Sequence, residues 1–449
     1  MLLLLSLRNA VLGRAALPGA VLLAVLLTGV PLQVQGQATL GGEPGSELTV
    51  YHVFMGQGDL VYEKFEHNAI WIHDPVRGTD LVYNYGLFDF NEPGYWGRFL
   101  KGNWIYQLGA FDIHSTLRFY RQDNRSVYAQ ELNLTPAQRV EMQEFLQWNL
   151  SGENRFYLYD YYRDNCSTRV RDVLDGVLGG RIRAATADRM TNTTYRWHSE
   201  RMIADDKVSY TGLLVGLGPA ADRPITVWEE MFLPGKLHEY LRTLQVPDEA
   251  GRMVPLVREE RVLFQTDRPA PRSEPPGWLG AYLMVGLALG ALFAALSLWV
   301  PRARAARLAF GAVASLWMLV IGIGGVLLLG LWTLTNHGIA YRNENLLQFN
   351  PLALALVLLL PALAYGVRWA ARPAYWLTIA VAGLSLLGLL LKVFPAFDQA
   401  NGALIALILP AHLGLAWAVY RLSGAAVQQT PVQPAPGPSA PRRRGAPAR

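Results

Sequence analysis

Two hydrophobic patterns divide the chain. From about residue 47 to 270, apolar positions recur in short periodic runs among charges; beyond Gly277 they merge into long apolar stretches. In the first region "FEHNAIWIHD" (65–74) alternates and is rich in Ile and Trp, which predicts a strand. After the turn "PVRGTD", the run "LVYNYGLF" (81–88) predicts a second strand, antiparallel to the first, and "NWIYQLGAF" (103–111) a third. "LTPAQRVEMQEFLQWNL" predicts a helix capped by Thr135, with Pro136 in its first turn and Gln138 completing a capping box. In "YLYDYYRDNCSTRVRDVLDGVLGG", Val170, Val173, Leu174 and Val177 fall at helical spacing. Asp164 or Asn165 caps this second helix and Gly179–Gly180 ends it, so Cys166 lies in its first turn.

Five apolar stretches follow: Trp278–Val300, Leu308–Leu334, Leu352–Val367, Ala374–Phe394 and Ala403–Tyr420. Most approach the ~20 residues of a spanning helix; the third is short, which leaves a re-entrant segment as its alternative. "PRARAAR", "RWAARP" and the tail "PRRRGAPAR" carry the arginines and are expected on the cytoplasmic side. The loops Thr335–Pro351 and Pro395–Gly402 are then expected outside, with the charged region. Arg8 and Arg14 flank an apolar run that reads as an export signal or N-terminal anchor over residues 1–36. The expected order is thus an exported α+β domain (47–265), a stiff Pro-rich linker (266–277), an all-α domain of about five transmembrane helices (278–421) and a disordered tail (422–449).

Charge and composition narrow the chemistry. The net charge of +5 arises largely in the short gaps and the tail, which argues against a nucleic-acid footprint. A single cysteine excludes an internal disulfide and any cysteine-cluster metal site, and no cofactor or metal is expected. A helix N-terminus favours thiolate over thiol, and Arg163, Arg169 and Arg171 stand near enough in sequence to add to that effect. Cys166 is therefore expected to be acidic and reactive, with main-chain N–H groups and the Asn165 side chain as candidate oxyanion donors. A nucleophilic thiol needs a base. His52, His67, His73, His114, His198 and His238 are available, and spacing alone leaves His67 and His73 both open. Arg169, His337, Asn343 and Asn345 are candidate substrate-binding residues, with Asn350 beside them.

The motifs "KFEHNAIWIHD", "VYNYGLFDF", "FLKGNWIYQLG", "YRQDNRSVYAQELNLT" and "YDYYRDNCSTRVRD" occur in an order that resembles the periplasmic domain of the Lnb-type bacterial membrane proteins. The loop "TNHGIAYRNENLLQFNPLAL" resembles the same family, and the likeness covers most of residues 50–420. It implies a lipoprotein N-acyltransferase of the inner membrane, moving an acyl chain from a membrane phospholipid to the N-terminal amine of a diacylated lipoprotein. The family usually reads Phe-Gly-His where this chain has Phe65-Glu66-His67, a departure expected to alter the charge around His67. The order of histidine and cysteine is similar, more remotely, to circularly permuted papain-like enzymes such as the lecithin–retinol acyltransferases. That resemblance implies His67 as the base and a third polar residue among Tyr83, Asn84 and Tyr85. A membrane-anchored cysteine hydrolase and a non-catalytic sensor or scaffold are the competing classes.

The arginine placement generates a topological prediction. A Gly402→Cys substitution on a Cys166→Ala background should label with an impermeant thiol reagent in intact spheroplasts. Labelling only after lysis would refute the orientation.

Overall fold

The computed structural model describes residues 42–89 and 91–428. The expected export segment (1–36) and residues 429–449 of the expected tail lie outside the described residues; residues 422–428, expected in that disordered tail, instead continue the helix Gly402–Gln428. The chain forms two compact units. One runs to Asn192 and resumes at Ile225–Pro271; the other comprises Thr193–Pro224 and the chain from Arg272.

The first unit is built on a seven-stranded antiparallel sheet. Its strands are β1 (Thr49–Met55), β2 (His67–Asp74), β3 (Thr79–Leu87), β4 (Trp104–Asp112), β5 (Val127–Leu132), β6 (Phe156–Tyr159) and β7 (Val257–Phe264), in the order β7-β5-β1-β2-β3-β4-β6. The expected hairpin is β2–β3, with Ile70 opposite Tyr83 and Asp74 opposite Thr79. Asp74 closes its turn by accepting from the N–H groups of Val76 and Arg77. Strand alternation sends Ile70, Ile72, Tyr83, Tyr85 and Leu108 to one face and Ala69, Val82, Val53 and Ala129 to the other.

Helices cover both faces. Helix α1 (Ile113–Gln122) lays Ile113 and Tyr120 on the Ala69 face. Helices α2 (Pro136–Leu150), α3 (Cys166–Val177) and α4 (Pro234–Leu241) pack Met142, Leu146, Val170, Leu174, Leu237 and Leu241 on the other. The Thr135–Gln138 capping box starts α2. Asn165, rather than Asp164, caps α3, so Cys166 is its first residue. Val177 ends α3, and Gly179 and Gly180 follow with φ of 66° and 79°, left-handed values that glycine adopts at low cost.

The second unit is helical. Four of its helices are long and apolar enough to cross a membrane: Leu279–Trp299, Arg304–Leu334, Arg368–Val393 and Gly402–Gly424. The third expected span is not of that length. Its helix, Ala353–Ala364, has 12 residues. At 1.5 Å per residue that is about 18 Å, against a hydrocarbon core of about 30 Å. The stretch before it is irregular and buried. A Cβ on Gly325 would meet the Asn350 backbone at 2.5 Å, so this stretch lies directly against the Arg304–Leu334 helix.

Residues 193–224, expected in the exported domain, belong instead with the helical unit. Asn343 donates to the carbonyls of Val215 and Gly216, and Asn345 to those of Leu214 and Val215. The loop Thr335–Pro351 thus terminates the helix Lys207–Gly216 by taking up its last free carbonyls. Arg196 meets Asp222 through Nε at 2.6 Å and Nη2 at 3.0 Å, and both side chains are buried. Removing one partner of such a pair strands the other charge. Asp222→Ala should therefore destabilise the protein by about 3–5 kcal/mol, read as a lower Tm in detergent; an unchanged Tm would show that the pair contributes nothing.

Candidate active site

Cys166 stands where the N-terminus of α3 meets the start of β2. Asn165 Oδ1 accepts from the N–H groups of Ser167 and Thr168, both at 2.9 Å, and Thr168 Oγ1 accepts from Asn165 N–H. Asn165 Nδ2 donates to Tyr161 O and Phe232 O. Both amide hydrogens are thus spent on main chain, and the Asn165 side chain is a cap rather than the expected oxyanion donor. Ser167 Oγ donates to Met231 O, and Asn68 Nδ2 donates to Ser167 Oγ, which ties β2 to α3. Gly86 on β3 has φ of 97°, and a Cβ there would lie 3.5 Å from the Cys166 Cβ. Glycine adopts this positive φ at low cost, beside the helix terminus.

Burial pushes the Cys166 thiol up to about 11, while the N–H groups of Asn68, Ser167 and Cys166 itself, aimed at the sulfur, pull the other way. Burial likewise pushes His67 down to about 4, helped by the positive charge of Arg125 and opposed by its hydrogen bond to Asn84. Both side chains keep partial exposure, yet protein surrounds each closely enough for desolvation to dominate. This reverses the expected acidic thiol. At neutral pH the thiol and the imidazole are both uncharged.

The structure brings Asn84 to His67. Asn84 Nδ2 donates to Val82 O, which turns Oδ1 toward His67 Nε2 at 3.3 Å. Nε2–H donates there, leaving Nδ1 as the basic atom of the ring. Tyr83 and Tyr85 point to the opposite, core face; Tyr85 donates to Asn149. His73, at the far end of β2, is bonded to Asp80 at 2.7 Å. His52 is buried against Gln130, and His238 against Arg242 and Glu260.

The other expected groups have different work. Arg169 holds Asp164 through two nitrogens and lies over the Tyr157 ring at 4.3 Å. Arg171 donates to Trp228 O and covers its ring, and Arg163 is exposed. Asn343 and Asn345 are buried in the second unit with their donors committed, and His337 belongs to that unit too. The Glu66 carboxylate accepts from Gly235 N–H at 2.8 Å. Glu66 has φ of 65° and ψ of −171°. Glycine adopts that region readily, and other residues enter it at a cost of about 1–3 kcal/mol.

Sequence reasoning missed Arg125 and a tyrosine wall. Arg125 is buried, donates to Gly56 O at 2.9 Å and lies over the Tyr120 ring. Its charge reaches both Cys166 and His67. Tyr106, Tyr157, Tyr159 and Tyr161 are raised first by burial and then by charges that include the Cys166 thiolate, so all four rings lie in its field. Tyr106 and Tyr159 stack at 4.2 Å, and Phe65 meets Tyr161 edge-on at 5.0 Å. The signal was present in "NWIYQL" and "YLYDYY", where Trp104 and Tyr106 alternate on one strand opposite Tyr159 and Tyr157 on the next. Among the described residues no cluster of His, Cys, Asp and Glu is arranged to hold a metal.

Two family models match the chain, and the first of them extends nine residues past Asn192 into the helical unit. The Lnb N-terminal periplasmic domain matches residues 43–201, and the Lnb transmembrane domain matches residues 283–421. No curated protein and no solved structure matches.

The raised thiol sets a pH test. Below its pKa the thiolate fraction grows tenfold per unit, so alkylation of Cys166 by iodoacetamide should climb from pH 7 toward about 11. His67→Ala should lower the neutral-pH rate. A plateau reached below pH 8.5 would refute the buried neutral thiol.

Proposed function

The chain belongs to the Lnb family, and from that premise we propose that it is a lipoprotein N-acyltransferase of the bacterial inner membrane. The observation that carries the reading is the unpaired thiol at a capped helix N-terminus, beside a strand that begins with a histidine oriented by Asn84. The succession of strand histidine, following-strand asparagine and helix-borne cysteine supports a permuted papain-like arrangement.

On this reading His67 Nδ1 takes the Cys166 proton as sulfur attacks the acyl ester carbonyl of a membrane phospholipid. The two uncharged groups make proton transfer part of the attack rather than a prior step. Main-chain N–H groups at Cys166 and Asn68 face the sulfur and offer donors for the developing oxyanion. Collapse breaks the ester C–O bond. The imidazolium returns its proton to the departing oxygen, a lysophospholipid leaves and a thioester remains. The N-terminal amine of a diacylated lipoprotein then attacks the thioester carbonyl. The C–S bond breaks, the thiolate recovers a proton by way of His67, and the product is an amide. The acyl bond energy is conserved in the thioester, so neither step calls for a nucleotide or a metal.

The helical unit supports a lipid donor and a lipid-bearing acceptor. Withdrawing an acyl chain from a bilayer costs about 0.8 kcal/mol per CH₂, so the chemistry must come to the membrane. The tyrosine wall around Cys166 is apolar enough to receive acyl carbon. Hydrolysis is the alternative outcome for the same intermediate, and the acceptor decides between them.

Purified protein in phospholipid nanodiscs should acylate a diacylated lipopeptide only when its α-amine is free. Cys166→Ala should abolish the transfer, and His67→Ala should slow it by about 10²–10⁴-fold. Release of free fatty acid alone, or equal consumption of a lipopeptide with a blocked amine, would refute the transferase.

A further inference from the structure

We infer that Glu66 is a positioning residue, a clamp that fixes His67 relative to Cys166 through the segment 231–235. The inference rests on the reading of His67 as the base.

Three observations meet on that segment. Met231 O accepts from Ser167 Oγ at 2.7 Å, and Phe232 O accepts from Asn165 Nδ2 at 2.9 Å. These bonds hold the residues on either side of the nucleophile. Gly235 N–H donates to Glu66 Oε2 at 2.8 Å, which holds the residue before the base. One short stretch of main chain therefore grips both halves of the site, although Glu66 and Gly235 lie 169 residues apart.

The two ends of the clamp are shaped to each other. Helix α4 begins at Pro234, which has no N–H, and its N-cap, Leu233, has no capping side-chain bond. Gly235 N–H is thus the first donor the helix offers, and Glu66 takes it from a distant part of the chain. A Cβ on Gly235 would lie 2.7 Å from Glu66 Oε2, so only glycine leaves the carboxylate its seat. At the other end Glu66 holds a backbone conformation that suits glycine, with φ of 65°. Such a conformation persists where surrounding contacts over-determine it. Here it ends the short turn Glu63–Phe65 and sets the course of the next two residues. Those are His67 and Asn68, whose N–H points at the thiol. Release of the carboxylate frees the entry to β2 and with it the backbone that carries the imidazole.

The test uses the full-length protein with Glu66→Gly, Gly235→Ala, both together, and Glu66→Gln, which keeps an acceptor oxygen. Glu66→Gly and Gly235→Ala should each lower kcat about tenfold to a hundredfold, within the range that a small misplacement produces, with KM unchanged. The double variant should be no slower than the slower single one, and Glu66→Gln should retain most of kcat. Because the clamp acts through His67, Glu66→Gly should slow iodoacetamide alkylation of Cys166 in the wild type but have no further effect on a His67→Ala background. An equal loss on that background would overturn the clamp and mark Glu66 as merely structural. A slow His67→Ala beside a wild-type rate in Glu66→Gly would also overturn the clamp, alone. A wild-type rate in His67→Ala would overturn the base assignment, and the clamp with it.

Discussion

Desolvation at the junction of β2 and α3 is the constraint from which the site follows. It holds Cys166 as a thiol and His67 as a neutral imidazole. A chain with one cysteine, exported toward an oxidising compartment, gains from this state, because the thiolate is the form most open to oxidation. The same burial makes the resting sulfur a poor nucleophile. Reactivity must arise when a substrate carbonyl is present to receive the charge and a base is in place to take the proton.

Much of the surrounding structure serves that geometry. Asn165 turns the first N–H groups of α3 into a fixed ring about its Oδ1. Gly86 takes a positive φ beside the helix terminus, and Asn84 directs the imidazole. The segment 231–235 joins the helix of Cys166 to the strand of His67. Arg125 lends a positive charge that favours thiolate over thiol and neutral imidazole over imidazolium. The site is poised without being charged.

The elements set by local pattern were legible in the sequence. The β2–β3 hairpin, the capping box at Thr135 and the placement of Cys166 at a helix start each depend on a few neighbouring residues. Asn84 was not separable from its two tyrosine neighbours, because the choice depends on which face of β3 meets His67. The acidity of the thiol was misread for a physical reason. The polar run around Cys166 suggested exposure, yet Asn165, Ser167 and Thr168 are all buried, each satisfied by main chain. The third apolar stretch was legible only in part. Its hydropathy is that of a span, but the turn at Gly366, with φ of 76°, and the buried polar stretch before it leave only a short helix. The allegiance of residues 193–224 to the helical unit depends on amide bonds from residues more than a hundred positions away, which no local pattern reveals.

The central claim is that Cys166 carries the acyl group between donor and acceptor. Mass spectrometry of the purified protein after incubation with phospholipid alone tests it most directly. The account predicts one acyl group on the peptide containing Cys166, removed by neutral hydroxylamine and matched by released lysophospholipid. Lysophospholipid release with the acyl group on another residue, or with Cys166 unmodified at every time sampled, would contradict it.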